Sequence, residues 1–311
     1  MRNAFAAEIT ELAQSDSRVV LLSGDIGNRL FDTFKEIAPD RFFNCGVSEA
    51  NMISMAAGMA ARGLRPIAYT ITPFITYRAL EQIRVDLCYH NVPVVVVGVG
   101  SGMGYASLGA THHSCEDIAM LRVLPHMKVV CPGDPHEVRA ALRATLSETG
   151  PVYLRLGKKG EPNIHPSLPR LEIGKAIPLS VGRDVCILAT GTILAEAHEV
   201  AHALRDLGIA AELVSMHTVK PLDQQFLTEL AQRHTRIVTL EEHSRIGGMG
   251  SAVLEFYHDH GLLDRPQIER IGTPDEFFHY AGEREDAFQL WGLSVAAIVE
   301  RIAKMISHRS L

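Results

Sequence analysis

The sequence predicts an α/β protein of two doubly wound domains with mainly parallel sheets. Three observations carry that prediction. Short apolar runs rich in Val, Ile and Leu alternate with helical patterns over residues 1–156, the pattern of parallel strands joined by crossover helices. A stretch rich in Pro and Gly over 157–180 then breaks the rhythm, as a linker does. The alternation resumes in a smaller second unit, and 311 residues suffice for two cores. The expected division is a first domain over 1–160, a linker over 161–180 and a second domain over 181–311.

Each element has its own signal. MRNAFAAEITELAQ at the N-terminus reads as an amphipathic helix and lacks the long apolar core of a signal peptide. VVLLSG (19–24), RPIAYT (65–70), VPVVVVGVG (92–100), MKVVCPG (127–133) and PVYLRLG (151–157) are the strands of the first unit. NCGVSEAN (44–51) is a turn of small residues, and the MISMAAGMAARG behind it predicts a buried, closely packed helix. PHEVRAALRATLSETG (135–150) opens with Pro and closes on Gly, as helices do. In the second unit DVCILAT (184–190) leads into the helix TILAEAHEVAHALRDLG (192–208). AAELVSMHTVKPLD (210–223), a helix over 223–233, RIVTLEEH (236–243) and a terminal helix over 292–308 complete it.

The bulk numbers narrow the function. A net charge of -6 without a basic stripe argues against nucleic acid as a partner. No apolar run approaches the roughly 20 residues that span a bilayer. Five cysteines without a CxxC spacing fit neither a disulfide framework nor a structural zinc site, so a reducing cytoplasmic compartment is expected.

In doubly wound sheets ligands gather at the carboxyl ends of strands, which selects the residues to inspect. Glu49 stands at the mouth of the buried helix, where desolvation favours a carboxyl able to share a proton with a weakly basic ring nitrogen. A first-turn acid complementing the helix dipole is the plainer reading. GSGMGYASLGATHHSCED (100–117) follows the strongest strand, and its glycines let the loop lie close to a ligand. Its paired His112 and His113 suit proton transfer or substrate contact, with metal binding the weaker alternative. Phe74 and Tyr77, three residues apart after a strand, would either sandwich a flat heterocycle or pack in the core. Arg155, with Lys158 and Lys159 behind it, suits a phosphate or carboxylate, or a salt bridge across the domain boundary. Gly24-Asp25-Ile26 with a later Asn51 imitates a G-D-G…N-N motif for magnesium and diphosphate. The third glycine is missing and Met52 replaces the second asparagine, so Asp25 reads as a polar liner of the ligand edge or a helix cap. In EEHSRIGGMGSAVLEF (241–256) the glycines either cradle an anion or permit close helix packing.

Taken together, these segments resemble the C-terminal half of transketolase, and more closely the C-terminal subunits of split, two-chain transketolases. The resemblance spans essentially the whole chain. FFNCGVSEANMISMAAGMAARG looks like the family's glutamate motif and implies that Glu49 activates the aminopyrimidine of thiamine diphosphate. GATHHSCED looks like the family's T-H-Q segment and carries His112 onto a substrate-contacting histidine. Phe74 and Tyr77 fall near the family's stacking aromatics, and Arg155 at its substrate-phosphate arginine. LEEHSRIGGMGSAV matches the family's C-terminal domain. The resemblance further implies an N-terminal partner subunit that holds the diphosphate and Mg2+, in an α2β2 assembly acting on sugars or sugar phosphates.

The departures lie on the substrate side. Leu108 stands where the family carries an aspartate, Gly100 lies near the place of a second histidine, and His113 replaces a glutamine. The implied function is two-carbon ketol transfer from a ketose to an aldehyde in an altered pocket. The β subunit of a 2-oxoacid dehydrogenase shares the architecture, although Thr111-His112-His113 fits transketolase better. A non-catalytic assembly partner is the reading from a different class.

Overall fold

The computed structural model describes residues 1–27, 29–262, 264 and 266–307; His308, placed in the terminal helix above, lies outside them. Twelve strands are seen among the described residues: β1 (Val19–Ser23), β2 (Phe42–Asn44), β3 (Arg65–Ile71), β4 (Val95–Val99), β5 (Lys128–Val130), β6 (Val152–Leu156), β7 (Ile177–Pro178), β8 (Val185–Thr190), β9 (Ala211–Ser215), β10 (Thr218–Lys220), β11 (Arg236–Ser244) and β12 (Gln267–Thr273). The helices that matter below are α1 (Arg2–Ser15), α2 (Glu49–Ala61), α3 (Thr72–Thr76), α4 (Asp117–Arg122), α5 (Pro135–Thr145), α6 (Leu194–Asp206), α7 (Met249–Asp259) and α8 (Arg284–Leu290).

The strands form two sheets, in the orders β10-β5-β6-β4-β3-β1-β2 and β12-β11-β8-β9-β7. Only β10 and β7 run antiparallel, each at an edge. Both sheets are therefore mainly parallel, as their continuous apolar runs require. β4 is buried along its whole length, because a parallel strand is covered by helices on both faces. The core residues Phe5, Ile9 and Ala13 of α1 are buried. Beside them the buried Glu8 pairs with Arg139 and Arg143 of α5. Asp134 caps α5 by accepting the Glu137 N–H at 2.7 Å, with Pro135 in the first turn.

In the linker, residues 161–180, the Ile164 and His165 amides both bond Asp134 Oδ2 at 2.8 Å, and β7 borders β9. Two features differ from the sequence expectation. β10 lies within the second unit in sequence but pairs with β5 in the first sheet, so the units interlock. The small-residue helix α2 buries only one face, with Met52, Ile53 and Ala56 inward and Asn51, Ser54 and Gly58 exposed. No helix among the described residues is long and apolar enough to cross a membrane.

Candidate functional site

The parallel order of β2, β1, β3, β4 and β6 brings their carboxyl ends to one edge of the first sheet. The turn before Glu49, helix α3, the loop with His112 and the segment with Lys158 therefore converge there.

Glu49 is the first residue of α2 and only 4% exposed. Its one polar contact among the described residues is Arg78 Nη1, 3.5 Å from Oε2. A buried carboxylate ordinarily accepts several hydrogen bonds, so this one retains unmet capacity. Arg78 is half exposed and lays its guanidinium 4.1 Å from the centre of the Phe74 ring, a cation–π contact. Phe74 in turn meets the His112 imidazole edge-on at 5.0 Å. Tyr105 lies 6.2 Å beyond His112, and the Lys158 ammonium sits 4.6 Å from its ring centre. One row of side chains thus runs from acid to imidazole to lysine.

The imidazole of His112 is partly desolvated and lies near His113 and Arg78. Burial first, and the electrostatic influence of those two groups second, hold it below the ordinary histidine range. It is therefore largely neutral at neutral pH, with Nδ1 2.9 Å from the Thr111 hydroxyl. Gly100 shapes the start of this loop: at φ +71 it leaves room for Tyr105, whose ring would lie 2.0 Å from any Cβ there.

The other expected residues divide. Tyr77 reaches the same edge, but its hydroxyl donates to Glu116 Oε2 at 2.6 Å. Burial, with Asp117 and Glu116 nearby, pushes this phenol up. The contacts of Phe74 are with His112 and Arg78, so these ring contacts pair Phe74 with an imidazole and a cation rather than with a second aromatic. Asp25 is exposed just past β1, with a left-handed φ of 56, and accepts from Asn44 Nδ2 at 2.9 Å.

Two expectations are overturned. His113 faces away from the row: its Nε2 lies 3.0 Å from the Ala106 carbonyl and its ring packs against Phe278 of the second domain. His112 meets Phe74 while His113 meets Phe278 and Ala106, so the pair shares no target. Arg155 is not open to a substrate phosphate. It is 1% exposed; its Nε bonds Asp117 at 2.8 Å, and its Nη2 bonds Asp117 at 3.2 Å and the Ser114 and Glu242 carbonyls at 3.0 Å. Its salt bridge is with Asp117 of the same domain, and only its hydrogen bond to the Glu242 carbonyl crosses the domain boundary. Tyr153 also donates to Asp117, at 2.5 Å, and burial notwithstanding these partners hold the Asp117 carboxyl below its usual range.

The glycine-rich start of α7 binds no foreign anion in this geometry. Glu241 from β11 accepts the Met249 and Gly250 N–H groups at 2.6 and 2.8 Å and so fills the helix N-terminus itself. Burial still raises this carboxyl to about 7.

Sequence reasoning missed Arg78 and Tyr105. The signal for Arg78 was its i+4 spacing from Phe74 along a helical path. Tyr105 could be placed only by the fold of the loop.

Residues 1–161 match the family model described as transketolase, pyrimidine binding domain, and residues 174–298 match transketolase, C-terminal domain. One of the subunits of the apulose-4-phosphate transketolase of Phocaeicola vulgatus is 33% identical over 98% of this chain and 97% of its own length. The 6-deoxy-6-sulfo-D-fructose transketolase subunit SqwH of a Clostridium species is 35% identical over 99% of this chain and 95% of its own. A solved structure described as "Split gene transketolase, inactive beta4 tetramer" superposes with a TM-score of 0.90 at 34% identity, covering 98% of both chains.

Proposed function

The chain belongs to the transketolase family as a transketolase-type subunit, and from that premise we propose that it is the C-terminal subunit of a thiamine diphosphate enzyme that transfers a two-carbon ketol unit from a ketose to an aldehyde. The observation that carries the proposal is Glu49, a buried acid at the strand edge with unmet hydrogen-bonding capacity, in one row with Phe74 and His112.

These residues fit the pyrimidine end of the cofactor. The Glu49 carboxyl would hold a proton for a ring nitrogen, and the half-buried Phe74 offers an apolar face for a flat ring. Asp25 would line the same edge. Thiamine diphosphate, when bound, supplies the electron sink for breaking a carbon–carbon bond next to a carbonyl. Gly24-Asp25-Ile26 with Asn51 and Met52 departs from a G-D-G…N-N motif, which supports assigning Mg2+ and the diphosphate to an N-terminal partner subunit. The relatives named as subunits, and the β4 tetramer described as inactive, support the same division of labour. An α2β2 complex is the expected assembly.

On the substrate side the neutral His112 imidazole would steady hydroxyls and move protons. Lys158, over Tyr105, is placed to meet an anionic end group on a sugar. The two relatives are named for a sugar phosphate and a sulfonated sugar, which supports that class. Leu108, in place of a carboxylate, is exposed in the same loop as His112. The test is to mix the purified chain with an N-terminal subunit that carries the diphosphate motif, thiamine diphosphate and Mg2+, and to assay ketol transfer from phosphorylated and sulfonated ketoses. Transfer that needs both chains is the expected result. Lipoyl-dependent decarboxylation of a 2-oxoacid, with no sugar transfer, would reject the proposal.

A further inference from the structure

Glu242 belongs to β11 of the second domain, yet one of its carboxylate oxygens serves the first. The residue is 1% exposed. Its Oε2 accepts from the Thr192 hydroxyl at 2.6 Å and from Arg284 of α8 at 2.9 and 3.1 Å. Its Oε1 accepts a single hydrogen bond, from the backbone N–H of Met103, at 2.7 Å. Burial opposes the charge, but Arg284 and these donors keep the carboxyl below its usual range. At neutral pH it is an anchored anion with one oxygen directed across the domain boundary.

The amide it holds lies at the base of the loop that carries His112. Gly102 and Ser114 exchange backbone hydrogen bonds of 2.9 Å in both directions, which closes residues 102–114 into a loop. Met103 is the first residue inside that closure and His112 is two residues before its end. Gly102 adopts φ +63, and a Cβ there would lie 2.6 Å from the Glu242 carboxyl carbon. A side chain at 102 would therefore displace the loop from the carboxylate. His113 adds a second tie, with its ring against Phe278. Among the described residues no hydrogen bond or ion pair joins Glu49 or Arg78 to this network.

We propose that Glu242 is a positioning residue: by holding the Met103 amide it fixes the closed loop 102–114, and so the second domain sets the place of the His112 imidazole without touching the Glu49 side. The inference deepens the functional reading above, and only its catalytic arm rests on that reading.

The test uses the full-length chain with 15N-labelled histidine, the His112 signals being assigned through His112→Gln. Gly102→Ala and Glu242→Leu are expected to move the His112 imidazole signals and its titration midpoint. Glu242→Gln, which keeps an acceptor for the Met103 N–H, is expected to restore both. Gly102→Ala removes neither partner of the buried Glu242–Arg284 pair, so the test survives if Glu242→Leu fails to fold. In the complex with the N-terminal subunit, Gly102→Ala should lower kcat/KM for ketol transfer by about 10²-fold, mainly through KM for the ketose, with thiamine diphosphate affinity unchanged. His112 signals unmoved in both variants would overturn the proposal, as would cofactor affinity falling in step with transfer. If the wild-type complex transfers no ketol unit while the His112 signals still respond, the functional reading fails and the positioning role stands.

Discussion

The ligand edge of the first domain and the junction between the domains are built from the same kinds of residue, held in opposite states. At the junction Arg155, Asp117 and Glu242 are almost fully buried and each is met by several partners at hydrogen-bond distance. At the edge Glu49 is nearly as buried but has one polar contact among the described residues, at 3.5 Å, with an arginine that is 51% exposed. A buried charge whose partners are all supplied by the chain maintains architecture. One that the chain leaves short of partners has capacity for a ligand, and ligands gather at the ends of parallel strands. The contrast also explains why a charged residue at a strand terminus is a poor guide to function until its partners are known.

The sharpest way to break the contrast is to neutralise one residue in each region. Glu49→Gln should reduce ketol transfer by the assembled complex about 10²–10⁴-fold while its thermal unfolding midpoint stays put. Steady-state kinetics beside a melting curve checks both. Arg155→Ala should do the reverse in kind, costing about 3–5 kcal/mol of stability because Asp117 is left buried and unpaired. Denaturant unfolding measures this. A phosphate-anchoring Arg155 would instead raise KM for phosphorylated ketoses and leave the unfolding curve in place.

The adjacent histidines sharpen the comparison within one loop. His112→Gln should lower kcat/KM about 10²-fold with little effect on stability. His113→Gln should show its main effect in the melting curve, since its ring and Nε2 serve packing against Phe278 and Ala106. Equal kinetic losses for the two would dissolve the distinction.

The smallest effect lies in the pH dependence of the junction. Burial lowers His243 to about 4, with Nδ1 2.8 Å from the Ser244 carbonyl and Nε2 accepting the Ala119 N–H at 3.3 Å. A depressed folded pKa means that its contribution is complete above the unfolded value near 6.5 and is lost as pH falls toward 4. Glu241, raised to about 7, works the other way: its contribution is complete below the unfolded value near 4.5 and is lost as pH rises through 7. Each amounts to roughly 3 kcal/mol at most by linkage, and the two offset over the same window. Glu241→Gln should therefore make stability fall as pH drops from about 6.5 to 4, and His243→Asn should make it rise from about pH 7 to 4.5. Melting curves across that range show either slope.

Much of this was legible in the sequence. The apolar runs marked the parallel strands, the small-residue turn marked Glu49, and the glycine-rich loop marked His112. What escaped depended on partners distant in the chain. Arg155 looked available because Asp117, 38 residues away, and the Glu242 carbonyl, 87 away, are joined to it only by folding. β10 joined the first sheet because an edge beside β5 was open to it, which no local pattern records. The EEH segment read as the end of a strand, and the glycines after it as an anion cradle or a site of close helix packing. The strand runs on through Ser244 and buries all three side chains, and Glu241 already occupies the helix N-terminus.

The most direct measurement of the central claim is the rate of hydrogen–deuterium exchange at the thiazolium C2 of thiamine diphosphate bound to the complex of this chain with its N-terminal subunit. The wild-type chain should support rapid exchange and Glu49→Gln should slow it about 10²–10⁴-fold, with the cofactor still bound. Exchange at the wild-type rate in the Glu49→Gln complex would contradict the account.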